Sequence, residues 1–373
     1  MLDYIIVGTG FAGSVCARQL AEKNKKILIL DKRNHIGGNA YDEYDNHGVL
    51  VHKYGPHIFH TNYERVYEYL KRFGEMFFYE HKVVAKVKDK ELIIPFNINT
   101  LYQLYEKSRA EFLENKLLAK YSVGEKVSVM TLLDSDDKDI VEIGKFVYEN
   151  IFLYYTMKQW GKKPEEIDKS ILLRVPVLIS RDDRYFTDKY QYMPLNGFTK
   201  LFDNILNHKN IEIRLNTDIK SLDELLSLKK ETGAKHIIFT GEVDRLCGYQ
   251  FGYLPYRSLE FKFEYYDIDS YQSHAVVNYT VSEDYTRITE FKKLTNQEIS
   301  GTTIIKEYSS SYEDRENQTP YYSINNDESN KIYEKYAKYL NENGIILLGR
   351  LAEFKYYNMD IIINRALELS DNL

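Results

Sequence analysis

The chain has 373 residues, which is long for a single core and predicts about two to three domains or one composite body of enzyme size. Its 50 Lys and Arg residues against 56 Asp and Glu residues leave a net charge of −6, which argues against binding nucleic acid or an anionic membrane through overall charge. Hydrophobic residues make up 43% of the sequence, which is enough for a sizeable core and excludes disorder as the main state.

The cysteines and the first residues bear on the cellular compartment. Cys16 and Cys247 are the two cysteines, and they provide neither a disulfide framework nor a zinc site. No apolar run approaches the roughly 20 residues of a membrane-spanning helix. An acidic residue and then glycines stand where a signal peptide would have its apolar region. We therefore expect a cytoplasmic protein with no membrane or nucleic-acid partner.

The first 31 residues predict a strand, a glycine turn, a helix and a second strand. YIIV is a short apolar run, GTGFAG is the turn, and SVCARQLAEKN has helical spacing. KILIL is the next apolar run, and it ends at Asp31. Short apolar runs that alternate with helices are typical of a parallel sheet.

The rest of the chain alternates helical and extended patterns in long blocks. Residues 100–161 have helical spacing, and Gly161 followed by Pro164 predicts that the last helix of this block ends at Trp160. Residues 256–308 contain several alternating stretches, which predict an antiparallel sheet. The other predicted elements are, in order, a helix over 63–73, a hairpin over 83–96, an extended segment over 172–195, a helix over 197–207, strands over 211–215 and 236–240, a helix over 331–342, a strand over 345–348 and a helix over 359–369.

These patterns predict an α/β fold. Strand and helix patterns at both ends of the chain indicate one Rossmann-like, dinucleotide-binding domain that is built from discontinuous segments, with a helical bundle and an antiparallel β-sheet domain inserted between them. The predicted segments are 1–80, 197–250 and 340–373 for the dinucleotide-binding domain, 98–165 for the helical bundle, and 81–97, 166–196 and 251–325 for the antiparallel sheet or substrate domain.

Gly8, Gly10 and Gly13 form the pattern GxGxxG between the first strand and the first helix. Such glycines permit a tight turn, a close approach of the backbone to a pyrophosphate, and close packing of the helix. The helix N-terminus offers free N–H groups and a partial positive charge to the phosphates. Asp31, 18 residues after Gly13, can bond ribose hydroxyls. The combination predicts a dinucleotide site, with an ordinary glycine turn as the alternative.

Gly37 and Gly38 form a second glycine pair shortly after Asp31. They would let another backbone segment approach the same cofactor. Later predicted strands also end in turns, at Gly241 and at Gly349 before Arg350. This set resembles the glutathione-reductase type of FAD protein, so FAD is favoured over NAD. The alternative is that the glycine pair is only a loop.

Three further features have both a ligand-binding and a purely structural interpretation. His57 and His60 lack the third ligand of a metal site, so packing or hydrogen bonding is favoured, and near a flavin they could contact its ring. Trp160 can stack on a planar base or pack in a core. Arg174 and Arg287 lie in apolar, extended segments, where a guanidinium needs an anionic partner, either a diphosphate or a structural carboxylate.

Several longer blocks occur together and in order: YIIVGTGFAGS, DKRNHIGGNAYD, YGPHIFHTN, YTMKQWG, YTRITE, KEY, PYYS and GRLAEFKYYNMD. With these blocks the chain resembles the bacterial UDP-galactopyranose mutases over essentially its whole length. Several of the blocks are specific to that family rather than to flavoproteins at large.

The resemblance implies an isomerase that interconverts UDP-galactopyranose and UDP-galactofuranose. In this family FAD is active only when reduced, although the reaction has no net redox change. The reduced flavin N5 attacks the anomeric carbon and displaces UDP, and an iminium forms while the sugar ring opens and recloses. The resemblance also implies a nucleotide-sugar substrate, a cellular flavin reductant and a homodimer.

The resemblance also implies roles for particular residues. Arg174 and Arg287 would hold the diphosphate during catalysis, and Trp160 would stack on the uracil. No metal ligand is implied. The full set expected to bind the substrate is His81, Tyr155, Thr156, Gln159, Trp160, Arg174, Tyr185, Arg257, Asn278, Arg287, Tyr322 and Tyr356. The set expected to bind the cofactor is Gly8, Gly10, Phe11, Ala12, Gly13, Asp31, Lys32, Gly38, Asn39, His57, Ile58, Asp218, Ile219, Thr240, Gly241, Arg350, Asn358, Met359 and Asp360.

Three positions depart from the usual pattern of that family. Asn358 stands where an Asp is usual, His81 stands where several relatives have Asn, and Asn196 replaces the first of two glycines. The sugar could therefore be dTDP-fucose or UDP-N-acetylgalactosamine instead of UDP-galactose. Two other hypotheses stay open, namely an amine-oxidase type of flavin oxidoreductase and a nucleotide-sugar-binding flavoprotein without catalysis.

Overall fold

The computed structural model describes residues 2–161 and 176–373, with Trp160 described by its backbone alone. Its strands are β1 (Tyr4–Val7), β2 (Ile27–Leu30), β3 (Asp42–Tyr44), β4 (Leu50–His52), β5 (Phe59–Thr61), β6 (Met76–Phe78), β7 (Val83–Val87), β8 (Lys90–Ile94), β9 (Lys126–Ser128), β10 (Pro176–Leu178), β11 (Tyr190–Pro194), β12 (Ile211–Arg214), β13 (His236–Phe239), β14 (Tyr256–Tyr266), β15 (Val276–Tyr279), β16 (Arg287–Glu290), β17 (Thr302–Ser311), β18 (Tyr322–Ser323) and β19 (Ile345–Leu347).

Helices connect and cover these strands. They are α1 (Phe11–Glu22), α2 (Glu64–Lys71), α3 (Ile98–Leu104), α4 (Lys107–Lys120), α5 (Val129–Leu133), α6 (Lys138–Val147), α7 (Leu153–Trp160), α8 (Gly197–Leu206), α9 (Leu222–Thr232), α10 (Val243–Leu246), α11 (Phe291–Thr295), α12 (Asp327–Glu342) and α13 (Met359–Asp371), with a 3₁₀ turn at Gly38–Ala40 and a π-helical turn at Tyr148–Phe152.

A five-stranded parallel sheet has the order β12-β2-β1-β13-β19. Neighbouring side chains of a strand point to opposite faces, so Ile6 packs with α1, α8 and α13, whereas Ile5 packs with α9 and α12. Both faces are therefore covered by helices, which explains why the strand sequences are continuously apolar. The predicted Rossmann-like fold from separated segments is confirmed.

A seven-stranded sheet forms the second unit, in the order β18-β14-β17-β16-β15-β7-β8. All but one of its pairings are antiparallel, and β15 pairs with β7 in parallel. The prediction of an antiparallel sheet holds apart from this pairing. A hairpin turn forces its two strands to be antiparallel, and β7 and β15 lie far apart in the chain, so no turn imposes that direction on them.

The pattern of residues 100–161 predicted one continuous helical block, but the structure shows an interrupted one. It begins at Ile98, contains the short strand β9, and passes from α6 to α7 through the π-helical turn. Its own core includes Leu101, Leu113 and Ile143. The predicted end is confirmed, because Gly161 caps α7 with the left-handed φ of +63°.

Some predicted elements are placed or bounded differently. The extended segment 172–195 contributes β11 to a small sheet with β5 and β6, rather than to the seven-stranded sheet. The helix predicted at 331 begins at Asp327, because Asn326 and Ser329 form a capping box in a polar stretch without apolar periodicity. The exact domain boundaries stay a prediction. In the described residues, no helix is both long and apolar enough to cross a membrane.

Candidate functional site

The GxGxxG turn leaves no space for side chains. A Cβ atom on Gly13 would lie 1.9 Å from the carbonyl oxygen of Gly8, and one on Gly8 would lie 2.0 Å from Oγ1 of Thr240. Helix α1 begins after Gly10 without a side-chain cap, so its first N–H groups are free of side-chain acceptors. Such an uncapped, glycine-lined helix start is suited to a pyrophosphate.

The second glycine pair meets this turn. A Cβ on Gly38 would lie 2.9 Å from Cα of Gly10. Asp31 closes the same region, since one oxygen of its carboxylate accepts bonds from the amide and hydroxyl of Thr9 at 2.8 and 2.6 Å, and the other accepts from the amide of Arg33 at 3.0 Å. A carboxylate has about four acceptor positions, so capacity remains for a ribose hydroxyl.

A cavity of about 830 Å³ lies between α7 and the seven-stranded sheet, and Asn39, the residue after the second glycine pair, also lines it. Its volume is in the range of sites for small molecules and cofactors. Residues that the sequence predicted for substrate line it beside residues predicted for cofactor: His81, Tyr155, Thr156, Gln159, Tyr185, Asn278, Arg287, Tyr322 and Tyr356 from the first set, and Asn39, His57, Ile58, Arg350, Asn358 and Met359 from the second.

The floor of the cavity is a row across three strands. Asn278 on β15 pairs with Arg287 on β16, which pairs with Glu307 on β17. One guanidinium nitrogen of Arg287 lies 3.1 Å from the carboxylate of Glu307. Burial alone would lower the pKa of Arg287, but Glu307 and nearby tyrosines hold that pKa well above its ordinary value. The arginine is therefore a permanent cation.

Two atoms of this row are buried without a hydrogen-bond partner among the described residues. They are Nε of Arg287 and Oδ1 of Asn278. A buried polar atom without a partner carries a desolvation cost, and native sites tolerate it where a ligand completes the bonding. The floor therefore offers bonding capacity to a polar, anionic ligand.

Tyrosines surround this cation. Burial raises the pKa of Tyr155 to about 12, and it also raises the pKa values of Tyr185 and Tyr322. A tyrosine is protonated near neutral pH even without such a shift, so these hydroxyls are able to donate hydrogen bonds. Tyr322 also stacks with Tyr356, with ring centroids 5.7 Å apart.

The histidines at the cavity are held by protein groups. Nδ1 of His57 lies 2.8 Å from the carbonyl oxygen of Gly55, and Nδ1 of His60 lies 2.9 Å from Oδ2 of Asp188. Nδ1 of His81 lies 3.2 Å from the hydroxyl of Tyr79. Within the described part of the chain, no group of three or more His, Cys, Asp or Glu residues is arranged to hold a metal ion.

Two predicted substrate residues fall outside this description, and one lies elsewhere. Arg174 and the side chain of Trp160 lie outside the described residues. Arg257 does not line the cavity. Its Nε donates to the carbonyl oxygen of Gln159 at 3.1 Å, and another nitrogen donates to Ser309 at 3.0 Å. Because helix C-termini attract cations, Arg257 stabilises the end of α7 from behind instead of contacting the cavity.

The remaining predicted cofactor residues lie in the Rossmann-like part. Asp218 is held by Arg245 through two bonds of 2.9 and 2.7 Å. Ile219 and Asp360 are buried, while Lys32 is exposed. The others of this group are Gly8, Gly10, Phe11, Ala12, Gly13, Asp31, Gly38, Thr240 and Gly241, at the glycine turns and the adjoining strand ends.

Sequence reasoning missed Glu307, the partner of Arg287. Its signal was present, because Glu307 belongs to the block KEY and follows the apolar pair Ile304 and Ile305 in β17. An acidic residue in a buried strand requires a partner. The register that supplies Arg287 was not predictable from either strand alone. Tyr54 and Phe186 also line the cavity. Tyr54 opens the block YGPHIFHTN but was assigned no role, and Phe186 carried no distinguishing pattern.

A family model described as UDP-galactopyranose mutase matches residues 150–356, more than half of the chain. The chain belongs to this family. Its members are isomerases, so the chain is an isomerase. A second model, for an NAD(P)-binding Rossmann-like domain, matches residues 6–73. The first match covers α7, Asn278, Arg287 and Glu307, and the second covers the glycine turns.

Relatives of the family match over nearly the full length. The chain is 39% identical over 375 residues to a protein of Escherichia coli named dTDP-fucopyranose mutase, covering 99% of this chain and 97% of that protein. It is also 39% identical over 373 residues to a probable UDP-galactopyranose mutase of Klebsiella pneumoniae, covering 99% and 94%. A UDP-galactopyranose mutase of Mycoplasma genitalium is 34% identical, covering 100% and 94%.

Solved structures share the fold. A crystal structure of reduced UDP-galactopyranose mutase superposes with a TM-score of 0.72 at 14% identity, covering 100% of this chain and 93% of that chain. A putrescine oxidase superposes with a TM-score of 0.55 at 12% identity. At these identities the comparison concerns architecture alone.

FAD is the cofactor of this family, and the described residues fit it. The uncapped start of α1 faces the contact between Gly10 and Gly38, where only backbone is present. Asp31 stands at the adjoining strand end, and the cavity extends from Asn39 and His57 to the floor at Arg287. The cavity thus begins at the residue after the second glycine pair and ends at the floor that carries Arg287.

Gly10→Ala tests the cofactor role of the turn separately from its folding role. Gly10 has a φ of −70°, and its Cβ would lie 3.8 Å from the nearest atom, so Ala fits the apoprotein. We expect stability within about 1 kcal/mol of the parent and at least a roughly tenfold loss of FAD affinity, because the methyl group obstructs the pyrophosphate. The flavin-to-protein absorbance ratio and urea denaturation measure the two effects.

Gly13→Ala is the matched comparison, because its Cβ would overlap the carbonyl oxygen of Gly8. It should destabilise the apoprotein itself by about 1–3 kcal/mol. Undiminished FAD retention in Gly10→Ala would show that the turn does not carry the pyrophosphate.

Three histidines with lowered pKa values should make the stability of the protein depend on pH. Burial lowers the pKa values of His52, His57 and His81 to about 3. The unfolded chain binds these protons at about pH 6.5. The folded pKa values are the lower ones, so the stability that the neutral forms provide is complete above pH 6.5 and is lost as the pH falls toward 3.

Each histidine should contribute a slope of about 1.4 kcal/mol per pH unit in this window. Urea denaturation between pH 6.5 and 5 measures the slope, and His81→Asn should reduce it by about one proton. An unchanged slope in this variant would mean that His81 is protonated in the folded protein.

Proposed function

We propose that the chain interconverts the pyranose and furanose forms of UDP-galactose without net redox change. The observation that carries this proposal is the continuous cavity, which runs from Asn39, the residue after the second glycine pair, to the positively charged Arg287 and to Tyr155, Tyr185 and Tyr322. Reduced FAD, when bound, supplies N5 as the nucleophile that attacks the anomeric carbon.

The Rossmann-like part holds the cofactor in this proposal. The N–H groups at the start of α1 bind the pyrophosphate, and Asp31 accepts a bond from a ribose hydroxyl. Arg350, whose Nε donates to the carbonyl oxygen of Tyr357 at 3.1 Å, is fixed at the cavity end near Asn358 and Met359. His57 and Ile58 line the same end, where the flavin ring would lie.

Arg287 holds the diphosphate of the substrate. Its carboxylate partner contacts one terminal nitrogen of the guanidinium, and 24% of the side chain remains exposed to receive the diphosphate. The leaving UDP gains negative charge as the bond to the anomeric carbon breaks, so a buried cation stabilises the transition state more than the ground state. Glu307 is a positioning residue, because it fixes the plane of the guanidinium through the contact at 3.1 Å.

The tyrosine hydroxyls complete the diphosphate site. Tyr155, Tyr185 and Tyr322 are protonated near neutral pH, as tyrosines ordinarily are, and a protonated hydroxyl donates a hydrogen bond without adding charge. UDP can therefore be held as a leaving group and returned as a nucleophile. Arg174 and Trp160, together with Thr156 and Gln159 of α7, are proposed for the same substrate.

The same chemistry on dTDP-fucose is the second candidate. The relative named dTDP-fucopyranose mutase and the one named probable UDP-galactopyranose mutase are equally identical to this chain, at 39%. His81 and Asn358, which depart from the usual family pattern, both line the cavity. UDP-N-acetylgalactosamine is a third possible substrate of this chemistry.

We further propose a cytoplasmic homodimer that is served by a cellular flavin reductant.

Conversion by reduced and oxidised enzyme tests the proposal. FAD-loaded protein is incubated with UDP-galactose with or without dithionite, and pyranose and furanose are separated by chromatography. Conversion in the reduced sample alone is expected. The same assay with dTDP-fucose and UDP-N-acetylgalactosamine ranks the sugars by kcat/KM.

The alternatives give other results. Sustained oxygen consumption with flavin reduction by substrate would indicate the amine-oxidase type of chemistry. Binding of UDP without conversion of any of the three nucleotide sugars would indicate a protein that binds nucleotide sugar but does not isomerise it.

Arg287→Ala should raise the activation free energy by about 3 kcal/mol, because it removes the charge that stabilises the departing diphosphate. This corresponds to a more than hundredfold lower kcat/KM. Arg109→Ala, which removes an arginine paired with Asp139 and Glu142 in the helical segment, is the matched control and should retain activity. Arg174→Ala should resemble Arg287→Ala. Unchanged turnover in Arg287→Ala would refute its assignment.

Trp160→Ala should weaken UDP binding by about 1–3 kcal/mol if the indole stacks on the base. Calorimetric titration with UDP measures the affinity. Tyr154→Ala is the matched control, because Tyr154 lies on the same helix with 45% of its surface exposed. Equal UDP affinities of the parent and Trp160→Ala would indicate that Trp160 packs in the core instead of stacking on the base.

A further inference from the structure

Lys158 of α7 makes an unusual set of contacts. Its ammonium donates to four backbone carbonyl oxygens, those of Tyr279, Ser282 at 3.0 Å, Glu283 at 3.3 Å and Tyr285 at 3.2 Å. An ammonium has three protons, so the four acceptors share them and saturate the group. No carboxylate of the described residues lies within ion-pairing distance of this nitrogen.

Removing the Lys158 ammonium from water is unfavourable, which indicates that its position has a structural role. Burial lowers the pKa of Lys158 to about 8, and the charges of Glu283 and Asp284 only partly oppose this effect. A lysine without a structural role extends its ammonium into water. Here the charge is instead withdrawn into a ring of carbonyl oxygens.

These carbonyl oxygens belong to the turn between β15 and β16. The two strands carry Asn278 and Arg287 directly opposite each other at the end of the hairpin. The turn is closed by the amide of Tyr279, which donates to the carbonyl oxygen of Thr286 at 2.9 Å. The hydroxyl of Thr280, which donates to the carbonyl oxygen of Asn150 at 2.6 Å, links the turn to the π-helical turn before α7. The position of the turn therefore determines where the last residues of both strands lie.

The backbone of Lys158 belongs to α7, which forms another wall of the cavity. Tyr155, Thr156 and Gln159 of the same helix line the cavity. Lys158 thus joins the helix that carries the proposed nucleotide wall to the hairpin that carries the proposed diphosphate floor. No other described side chain of α7 makes a hydrogen bond to this turn.

We propose that Lys158 is a positioning residue, which fixes the β15–β16 hairpin against α7 and thereby sets the distance between the nucleotide wall and Arg287. This proposal rests on the proposed function, because it concerns the same substrate site. Lys158 touches neither substrate nor cofactor in this role. Displacement of catalytic groups by about 1 Å can lower the rate on the order of a hundredfold, so the loss of the contacts of Lys158 should have a measurable effect.

A double-mutant cycle with UDP as the probe tests whether Lys158 positions the β15–β16 hairpin. FAD-loaded parent, Lys158→Met, Arg287→Ala and the double variant are titrated with UDP, and kcat/KM is measured with reduced enzyme. Lys158→Met should raise the Kd of UDP roughly tenfold, and in the Arg287→Ala background it should change the Kd less than about twofold, because residues that act through each other are not additive. Lys145→Met, an exposed lysine on the preceding helix, is the control and should match the parent.

The readouts separate this role from general stabilisation. A lysine that merely stabilises the fold would lower the unfolding temperature and leave Kd and kcat/KM of the folded enzyme unchanged at low temperature. Lys158→Gln keeps two donors for the same carbonyl oxygens and should give intermediate values, and it replaces Lys158→Met if that variant does not retain FAD.

Two outcomes overturn the proposal. The first is a Kd and kcat/KM equal to the parent in Lys158→Met or in Lys158→Gln. The second is the same fold-change in the presence and absence of Arg287. Either outcome, with parent enzyme that binds UDP and converts the sugar, refutes this inference alone, whereas parent enzyme that binds no UDP would refute the proposed function as well.

Discussion

The buried contact between Arg287 and Glu307 is the interaction on which the candidate site depends. A guanidinium at the bottom of a cavity is tolerated only when an opposite charge is close, and Glu307 is 3.1 Å away on the neighbouring strand. One carboxylate neutralises the arginine without occupying all of its donors, because Nε has no partner among the described residues. The pair can therefore exist before substrate arrives and still receive an anion.

Sheet register places this pair. Asn278, Arg287 and Glu307 are direct neighbours on three adjoining strands, so their side chains leave the same face of the sheet. A shift of one residue in either pairing would turn the arginine to the other face. The turn held by Lys158 and the buried strand residues around it, such as Ile288 and Ile305, oppose such a shift. The electrostatic site is thus maintained by packing and by hairpin geometry.

The sequence predicted the Rossmann-like unit well, because its signals are local. The glycine turn, helix α1 and Asp31 fall within 31 consecutive residues, and each residue type follows from the conformation at its own position. The same is true of the end of α7 at Gly161. The sequence did not predict the parallel pairing of β7 with β15, the place of β11 in a small sheet, or the location of Arg257 behind α7, because these depend on contacts between residues far apart in the chain.

The sequence by itself determined the family, the dinucleotide turn and the residue types available for an anionic, nucleotide-bearing substrate. Those features reside in short motifs whose chemistry is the same wherever the chain folds. Only the tertiary structure decided which carboxylate meets Arg287, which tyrosines surround that cation, and that Lys158 binds the hairpin turn. Charge pairing, desolvation and register are properties of assembled strands and helices, so no single segment contains them.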